Sequence, residues 1–289
     1  MATAAQWVEG ARPRTLPAAV APVAAGTGAA AAADGFRAGP ALLALLVALA
    51  LQVGVNYAND YSDGVRGTDA DRVGPLRLVG SGVATPAAVK AAALAAFAVA
   101  GVAGLLLAAL SSWWLVAVGA ACLLAAWFYT GGRSPYGYRG LGEVSVFVFF
   151  GLVATVGTTY VQALEVTVAS VLAGVGCGSL ACALLVANNL RDRPKDEGVG
   201  KRTLAVRLGD RRTRLLYAGL MALPFVVLLP IAAYQPWALL ALVAAVPAVP
   251  PARAVTRNAA GRDLVPVLKA TGLTLLAYGV VLGIGLSFG

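Results

Sequence analysis

Among its 289 residues the chain has no histidine, three cysteines and 13 acidic residues. Lacking imidazole, it has no histidine general base, no haem ligation through histidine and no histidine-based zinc site. Cys122, Cys177 and Cys182 lie in apolar runs at spacings that match neither a metal nor a redox motif, so they read as packing residues. Charge is scarce as well. Asp, Glu, Lys and Arg make up 12% of the chain against 60% hydrophobic residues, which excludes an ordinary soluble domain. Mean hydropathy is +0.80. The apolar runs recur along the whole length, are long enough for helices that cross a bilayer, and do not alternate as the strands of a membrane barrel would.

The runs predict an all-α polytopic membrane protein with nine spans, at about 17–34, 39–59, 86–109, 112–129, 142–161, 166–189, 214–233, 236–252 and 266–288. A cleaved signal peptide is the competing reading of the first run. A retained span keeps Arg12 and Arg14 on the same side as the other basic loops, and is preferred for that reason. Of the 22 Lys and Arg residues only Arg37 then falls on the opposite side. The positive-inside rule places the N-terminus and the basic loops in the cytoplasm. Topology accounts for the net charge of +9, so no nucleic-acid partner is inferred from it.

The organising stretch is Asn56–Gly82, NYANDYSDGVRGTDADRVGPLRLVGSG, which brings four acids and three arginines to the end of an apolar run. If the run stays helical through its last turn, Asn56, Asn59, Asp60 and Asp63 fall at i, i+3, i+4 and i+7 and share a face. Carboxylates and amide oxygens are hard ligands suited to Mg²⁺, which takes one or two carboxylates and completes its shell with substrate phosphates. An acidic helix end solvated in a loop is the alternative. A second copy argues against it. Asn188-Asn189-Leu190-Arg191-Asp192-Arg193-Pro194-Lys195-Asp196 ends span six, with Asn188 and Asp192, and Asp192 and Asp196, each four apart. Asn56 and Asp60 have the same spacing, so the two motifs form a degenerate repeat offset by about 132 residues.

Each acidic cluster is interleaved with Lys and Arg. Carboxylates that hold metal ions, beside cations that hold phosphate oxygens, are what binding a diphosphate and drawing it off as a leaving group requires. Between the motifs, Tyr129–Glu143 reads YTGGRSPYGYRGLGE. Its glycines allow close backbone approach, and its tyrosines and arginines supply hydroxyl donors and cations. Arg133 stands out, four residues after Tyr129 at the end of a span. Arg12 and Arg14 before span one read either as membrane anchors or as partners of a bound anion. Arg211, Arg212, Arg214, Arg253, Arg257 and Arg262 read as inner-face anchors, and Gly272, Gly279, Gly283 and Gly285 favour close packing of span nine. A secondary transporter is a rival reading, but its site belongs at mid-membrane in broken helices. A lipid-diphosphate carrier without turnover is another.

NYANDYSDGVRGTDADR, GPLRLVGSG from Gly74, NNLRDRPKDEGVGKRTLAVRLG from Asn188 and RPRTLP near the start resemble the UbiA superfamily of intramembrane prenyltransferases, over essentially the whole chain. Within it, the GTD and GKRTLAVRLG segments resemble the branch that prenylates 1,4-dihydroxy-2-naphthoate in menaquinone biosynthesis. One departure is Gly67, where the superfamily pattern carries its last acid; Asp69 and Asp71 are nearby substitutes. The resemblance implies one domain over residues 1–289, with motif loops 56–82 and 188–207, and nine helices around a central cavity under a cytoplasmic cap. It implies a multi-pass protein of the bacterial plasma membrane. Polyprenyl diphosphate would bind through Mg²⁺ to Asn56, Asp60, Asp63, Asp192 and Asp196, with its tail in the apolar interior or out to membrane lipid. Asp60, Asp63, Asp192, Asp196 and Arg133 are the implied catalytic set. Asn59, Arg72, Arg77, Tyr129, Asn188, Lys195 and Lys201 complete the implied substrate contacts. Arg14 and Arg139 are candidate partners for the carboxylate of 1,4-dihydroxy-2-naphthoate, whose prenylation with loss of CO₂ and diphosphate would lead to demethylmenaquinone. Another aromatic acceptor, such as 4-hydroxybenzoate, is the alternative.

Overall fold

The computed structural model describes residues 2–67 and 76–289, and regular structure among them is entirely helical. The helices are α1 (Ala4–Gly10), α2 (Pro17–Ala31), α3 (Ala38–Val65), α4 (Pro86–Leu110), α5 (Leu115–Phe128), α6 (Gly142–Val146), α7 (Ala154–Ala163), α8 (Val168–Gly198), α9 (Leu204–Ala232), α10 (Ala245–Thr256) and α11 (Leu264–Leu286). A wider helical turn, Phe147–Val153, joins α6 to α7 into one rod, Gly142–Ala163, and a tighter one, Pro236–Ala244, leads into α10.

Seven of these rods are long and apolar enough to cross a membrane. The protein is a multi-pass membrane protein. The other two predicted spans are occupied by shorter apolar helices, α2 with 15 residues and α5 with 14. At 1.5 Å per residue each is about 20 Å long, short of a hydrocarbon core of about 30 Å. Local sequence explains both. α2 starts at Pro17, where the predicted span starts, but stops at Ala31 because Asp34 turns left-handed at φ 52° and the Gly35 N–H bonds back to the Ala30 carbonyl, and Trp113-Trp114 turn the chain before α5. The short helix α1 was not expected from hydropathy. It is closed by a capping box in which Thr3 N–H donates to Gln6 Oε1 at 2.8 Å and Gln6 N–H donates to Thr3 Oγ1 at 3.3 Å.

Close packing follows the small residues. A Cβ placed at Gly283 would lie 2.3 Å from the Ala24 carbonyl oxygen, and one at Gly279 would lie 2.5 Å from that of Ala21, so α11 and α2 touch backbone to backbone. Gly285 meets the Trp237 carbonyl in the same way. Arg214, expected as a surface anchor, is buried. It pairs with Asp210 and donates to the carbonyls of Val255 and Ala259, at 2.7 and 2.9 Å, so it fastens α9 to the end of α10.

Two helices extend beyond the apolar runs that predicted them. α3 continues to Val65 and α8 to Gly198. Their polar ends carry the two motifs as helix rather than as loop, and both reach the same end of the bundle.

Candidate active site

One cavity of about 1270 Å³ runs through the bundle. Its deep part is lined by Val23, Val47, Leu107, Leu115, Val118, Phe149, Val153 and Val161, and its polar end by Asn56, Asn59, Asp63, Arg77, Asn188, Asn189, Asp192, Lys195, Asp196 and Lys201. That volume exceeds the few hundred Å³ of a pocket for a compact small ligand. It suits a molecule with a charged head and a long apolar tail.

On α3 the cavity face runs through Gln52, Asn56, Asn59 and Asp63. Tyr138 donates a short hydrogen bond to Asp63 Oδ1. Lys201 Nζ stands 3.5 Å from Asp63 Oδ1, and Arg77 Nη2 stands 3.8 Å from Oδ2. Lys201 also sits over the Tyr138 ring, 4.4 Å from its centre. Asn59 accepts from Thr130 Oγ1 at 2.7 Å, and Arg66 donates to the carbonyls of Thr130 and Gly132, so the end of α3 is sewn to the segment after α5.

The second motif faces it from α8. Arg191 grips Asp192 through both oxygens, Nε to Oδ1 at 2.7 Å and Nη2 to Oδ2 at 2.8 Å, and Nη2 also reaches Asn188 Oδ1 at 2.8 Å. Asn189 donates to Glu143 Oε1 at 2.9 Å, tying α8 to α6. Lys195 Nζ is buried without a hydrogen-bond partner among the described residues. The segments above the cavity are joined to each other. Arg202 N–H donates to the Tyr138 carbonyl and Lys201 N–H to that of Asp196, each at 2.9 Å. Burial holds the Tyr136 phenol above its ordinary range, and as a neutral donor it reaches the Ala125 carbonyl at 2.8 Å. Two acidic helix ends therefore face each other across a cationic, hydroxyl-lined chamber that opens directly into an apolar tunnel.

The sequence profile of the UbiA prenyltransferase family matches residues 19–263. The chain belongs to the UbiA prenyltransferase family. It is 56% identical to the 1,4-dihydroxy-2-naphthoate octaprenyltransferase of Mycobacterium tuberculosis, over 100% of this chain and 99% of that protein. It is 40% identical to the Escherichia coli protein of the same name, over 97% of this chain and 95% of that one. Among solved structures, a UbiA homolog from Archaeoglobus fulgidus bound to GPP and Mg²⁺ superposes with a TM-score of 0.66 at 15% identity, covering 98% of this chain and 100% of that one. At that identity the likeness is one of fold.

Within this UbiA fold, the residues singled out from sequence divide. Asn56, Asn59, Asp63, Arg77, Tyr129, Asn188, Asp192, Lys195, Asp196, Lys201 and Arg14 line the cavity. Arg72 lies outside the described residues, as do Asp69 and Asp71. Asp60 departs from the expected ligand set. It is fully buried but does not line the cavity, and its carboxylate accepts the backbone N–H groups of Leu78 at 2.7 Å and Val79 at 3.0 Å. At about 100° per residue, Asp60 is rotated about 60° from Asp63 around α3. That rotation carries it off the cavity face and onto the returning chain before α4. Arg133 and Arg139 are exposed and do not line the cavity either. The helix that would have set Arg133 one turn above Tyr129 stops at Phe128, and Gly132 adopts φ +74°. Tyr138 and Arg191 were not singled out, although Tyr138 lay in a loop noted for its tyrosines.

The donor set fits a hard divalent ion completed by phosphate oxygens. Among the described residues no three acids converge into an all-protein cage. Asp63 on one helix, and Asp192 and Asp196 on another, line one chamber instead, which is the arrangement expected when a diphosphate bridges the two sides.

Proposed function

We propose that the protein transfers a polyprenyl group from polyprenyl diphosphate to 1,4-dihydroxy-2-naphthoate, releasing diphosphate and CO₂, with Mg²⁺ as cofactor, at the cytoplasmic side of a bacterial plasma membrane. The observation that carries this reading is end-to-end identity of 56% with a protein named for that acceptor. The chamber and tunnel support it independently: the charged end suits a diphosphate and the apolar end its tail.

Asp63, Asp192 and Asp196 would hold Mg²⁺, which when bound supplies positive charge to the leaving diphosphate. Lys195, Lys201 and Arg77 place three further cations at the chamber for its oxygens. The bond between the prenyl carbon and the diphosphate oxygen breaks with its electron pair going to the oxygen. The allylic cation left behind lies where the chamber narrows into apolar walls, which keep water from it. The ring carbon bearing the carboxylate attacks, a new carbon–carbon bond forms, and loss of CO₂ returns a pair of electrons to the ring. No oxidant is consumed, so the immediate product is demethylmenaquinol, and the quinone follows only on its later oxidation.

The test supplies naphthoate labelled with ¹⁴C at the carboxyl group, polyprenyl diphosphate and Mg²⁺ to the purified protein. Expected are unlabelled prenylated product, one labelled CO₂ and one diphosphate per turnover, and no product in excess EDTA. Label retained in the product would refute the decarboxylating step, prenylation of 4-hydroxybenzoate alone would move the acceptor, and full activity in EDTA would remove the metal.

A further inference from the structure

Arg12 stands where the chain turns from α1 into α2, in a left-handed conformation with φ 54° and ψ 69°. For a residue with a side chain that backbone is strained and persists only where its surroundings impose it. Here they do. The Arg12 carbonyl accepts from Thr15 N–H and from Thr15 Oγ1, both at 2.9 Å. Thr15 Oγ1 in turn accepts from Gln52 Nε2 and Asn56 Nδ2, both at 2.9 Å, and Asn56 Nδ2 also reaches the Ala11 carbonyl at 2.8 Å. The corner is thus stapled to the cavity face of α3. Arg12 lines the cavity, and its Nε and Nη2 are buried with no hydrogen-bond partner among the described residues. Leaving such donors unmatched is costly, the more so on a charged group.

Nε and Nη2 form the edge of a guanidinium that engages both oxygens of one carboxylate. The chain uses that edge elsewhere for this purpose. Arg191 holds Asp192 through Nε and Nη2 at 2.7 and 2.8 Å, and Arg214 holds Asp210 through the same atoms at 2.6 and 3.0 Å. Arg12 presents the same edge to the cavity. Glu9, the acid nearest in sequence, also lines the cavity, but its Oε1 accepts from the Leu76 N–H at 3.2 Å.

Depth selects the ligand. Asn56, to which the corner is fastened, lies seven residues before Asp63 on α3, about 10 Å further into the bundle. A donor held by its diphosphate at Asp63 and Asp192 has its reacting carbon on the bundle side of those groups. The acceptor ring must therefore lie at the level of Arg12. Resting on the acceptor reading above, we propose that the Nε and Nη2 edge of Arg12 is the carboxylate subsite for the aromatic acceptor, and so the residue that selects rings bearing a carboxylate. Arg14 and Lys269, which line the same side of the cavity, add positive potential around it.

The experiment uses the full-length protein in lipid nanodiscs and two unreactive competitors of the acceptor, 1-hydroxy-2-naphthoate and its carboxamide. The wild type is expected to bind the acid at least about tenfold more tightly than the amide. In Arg12→Gln the inhibition constant of the acid rises about tenfold to a hundredfold, that of the amide stays within about threefold, and KM for polyprenyl diphosphate is unchanged. Arg12→Lys, which keeps the charge and loses the two-pronged edge, falls between. A preference for the acid that survives in both variants overturns the proposal, as does a donor KM that rises in step with the acid's constant. Equal binding of acid and amide by a wild type that prenylates the naphthoate overturns the subsite and leaves the acceptor reading intact. A wild type that does not prenylate the naphthoate overturns the acceptor reading instead.

Discussion

Asp60 and Asp63 are three residues apart on one helix and do different work. Asp60 receives two backbone N–H groups of the chain returning to α4, whereas Asp63 faces the chamber beside Lys201, Arg77 and Tyr138. Asp60→Asn puts an amide NH₂ opposite a backbone donor, a mismatch of about 1–3 kcal/mol. It is expected to lower the thermal midpoint measured in detergent while leaving substantial turnover well below that midpoint. Asp63→Asn keeps the shape and removes the charge that a metal–diphosphate complex needs. Turnover should fall by about a hundredfold or more, and the Mg²⁺ concentration for half-maximal rate should rise. An Asp60→Asn protein with wild-type stability and no activity would return Asp60 to the ligand set.

At the scale of elements, α11 against α2 decides the shape of the cavity wall, because Ala18, Ala19 and Val23 of α2 line the cavity while its other side rests on Gly279 and Gly283. Gly283→Ala would drive a methyl group into the Ala24 carbonyl, and backbone cannot step aside as a flexible side chain would. A loss of about 1–3 kcal/mol is expected, read as a lower midpoint together with reduced turnover from the displaced α2 wall. Gly101→Ala is the control. Nothing lies within 4 Å of a Cβ there, and removing a helix-interior glycine adds about 0.5–1 kcal/mol. Equal effects of the two substitutions would show that helix propensity, not interhelical contact, governs this protein.

For the whole molecule, the distribution of the 22 Lys and Arg residues, with Arg37 alone expected on the far side, predicts that the chamber faces the cytoplasm. In a variant with Cys122 replaced by Ser, the remaining cysteines are buried. A cysteine at Gly200 should then resist an impermeant thiol reagent in intact cells, and one at Ser112 should react. The opposite pattern would invert the molecule. Burying the chamber in a membrane also suits the chemistry, since both the donor tail and the prenylated ring partition into lipid.

Hydropathy alone determined the helical class and the approximate places of the rods, because bilayer thickness and the need to satisfy backbone polar groups leave few other solutions. The period of 3.6 likewise determined that Asn56, Asn59 and Asp63 share a face, and that Asp192 and Asp196 follow Asn188 along one side of a second helix. Tertiary structure decided what each side chain meets. A rotation of about 60° between Asp60 and Asp63 is small on a helical wheel, yet it separates the backbone of Leu78 and Val79 from the open chamber. Arg133 was lost to a helix that ended five residues before it, and Arg214 was drawn inward by carbonyls 41 and 45 residues away in sequence. In the sequence Arg12 reads equally as a membrane anchor or as the partner of a bound anion, with nothing local to choose between them. That its guanidinium edge is buried against the cavity depends on Thr15, Gln52 and Asn56, which meet only after the chain has folded back on itself. Period and composition act locally, whereas the partner of a charged group is set by whichever distant backbone or side chain the packed helices bring to it.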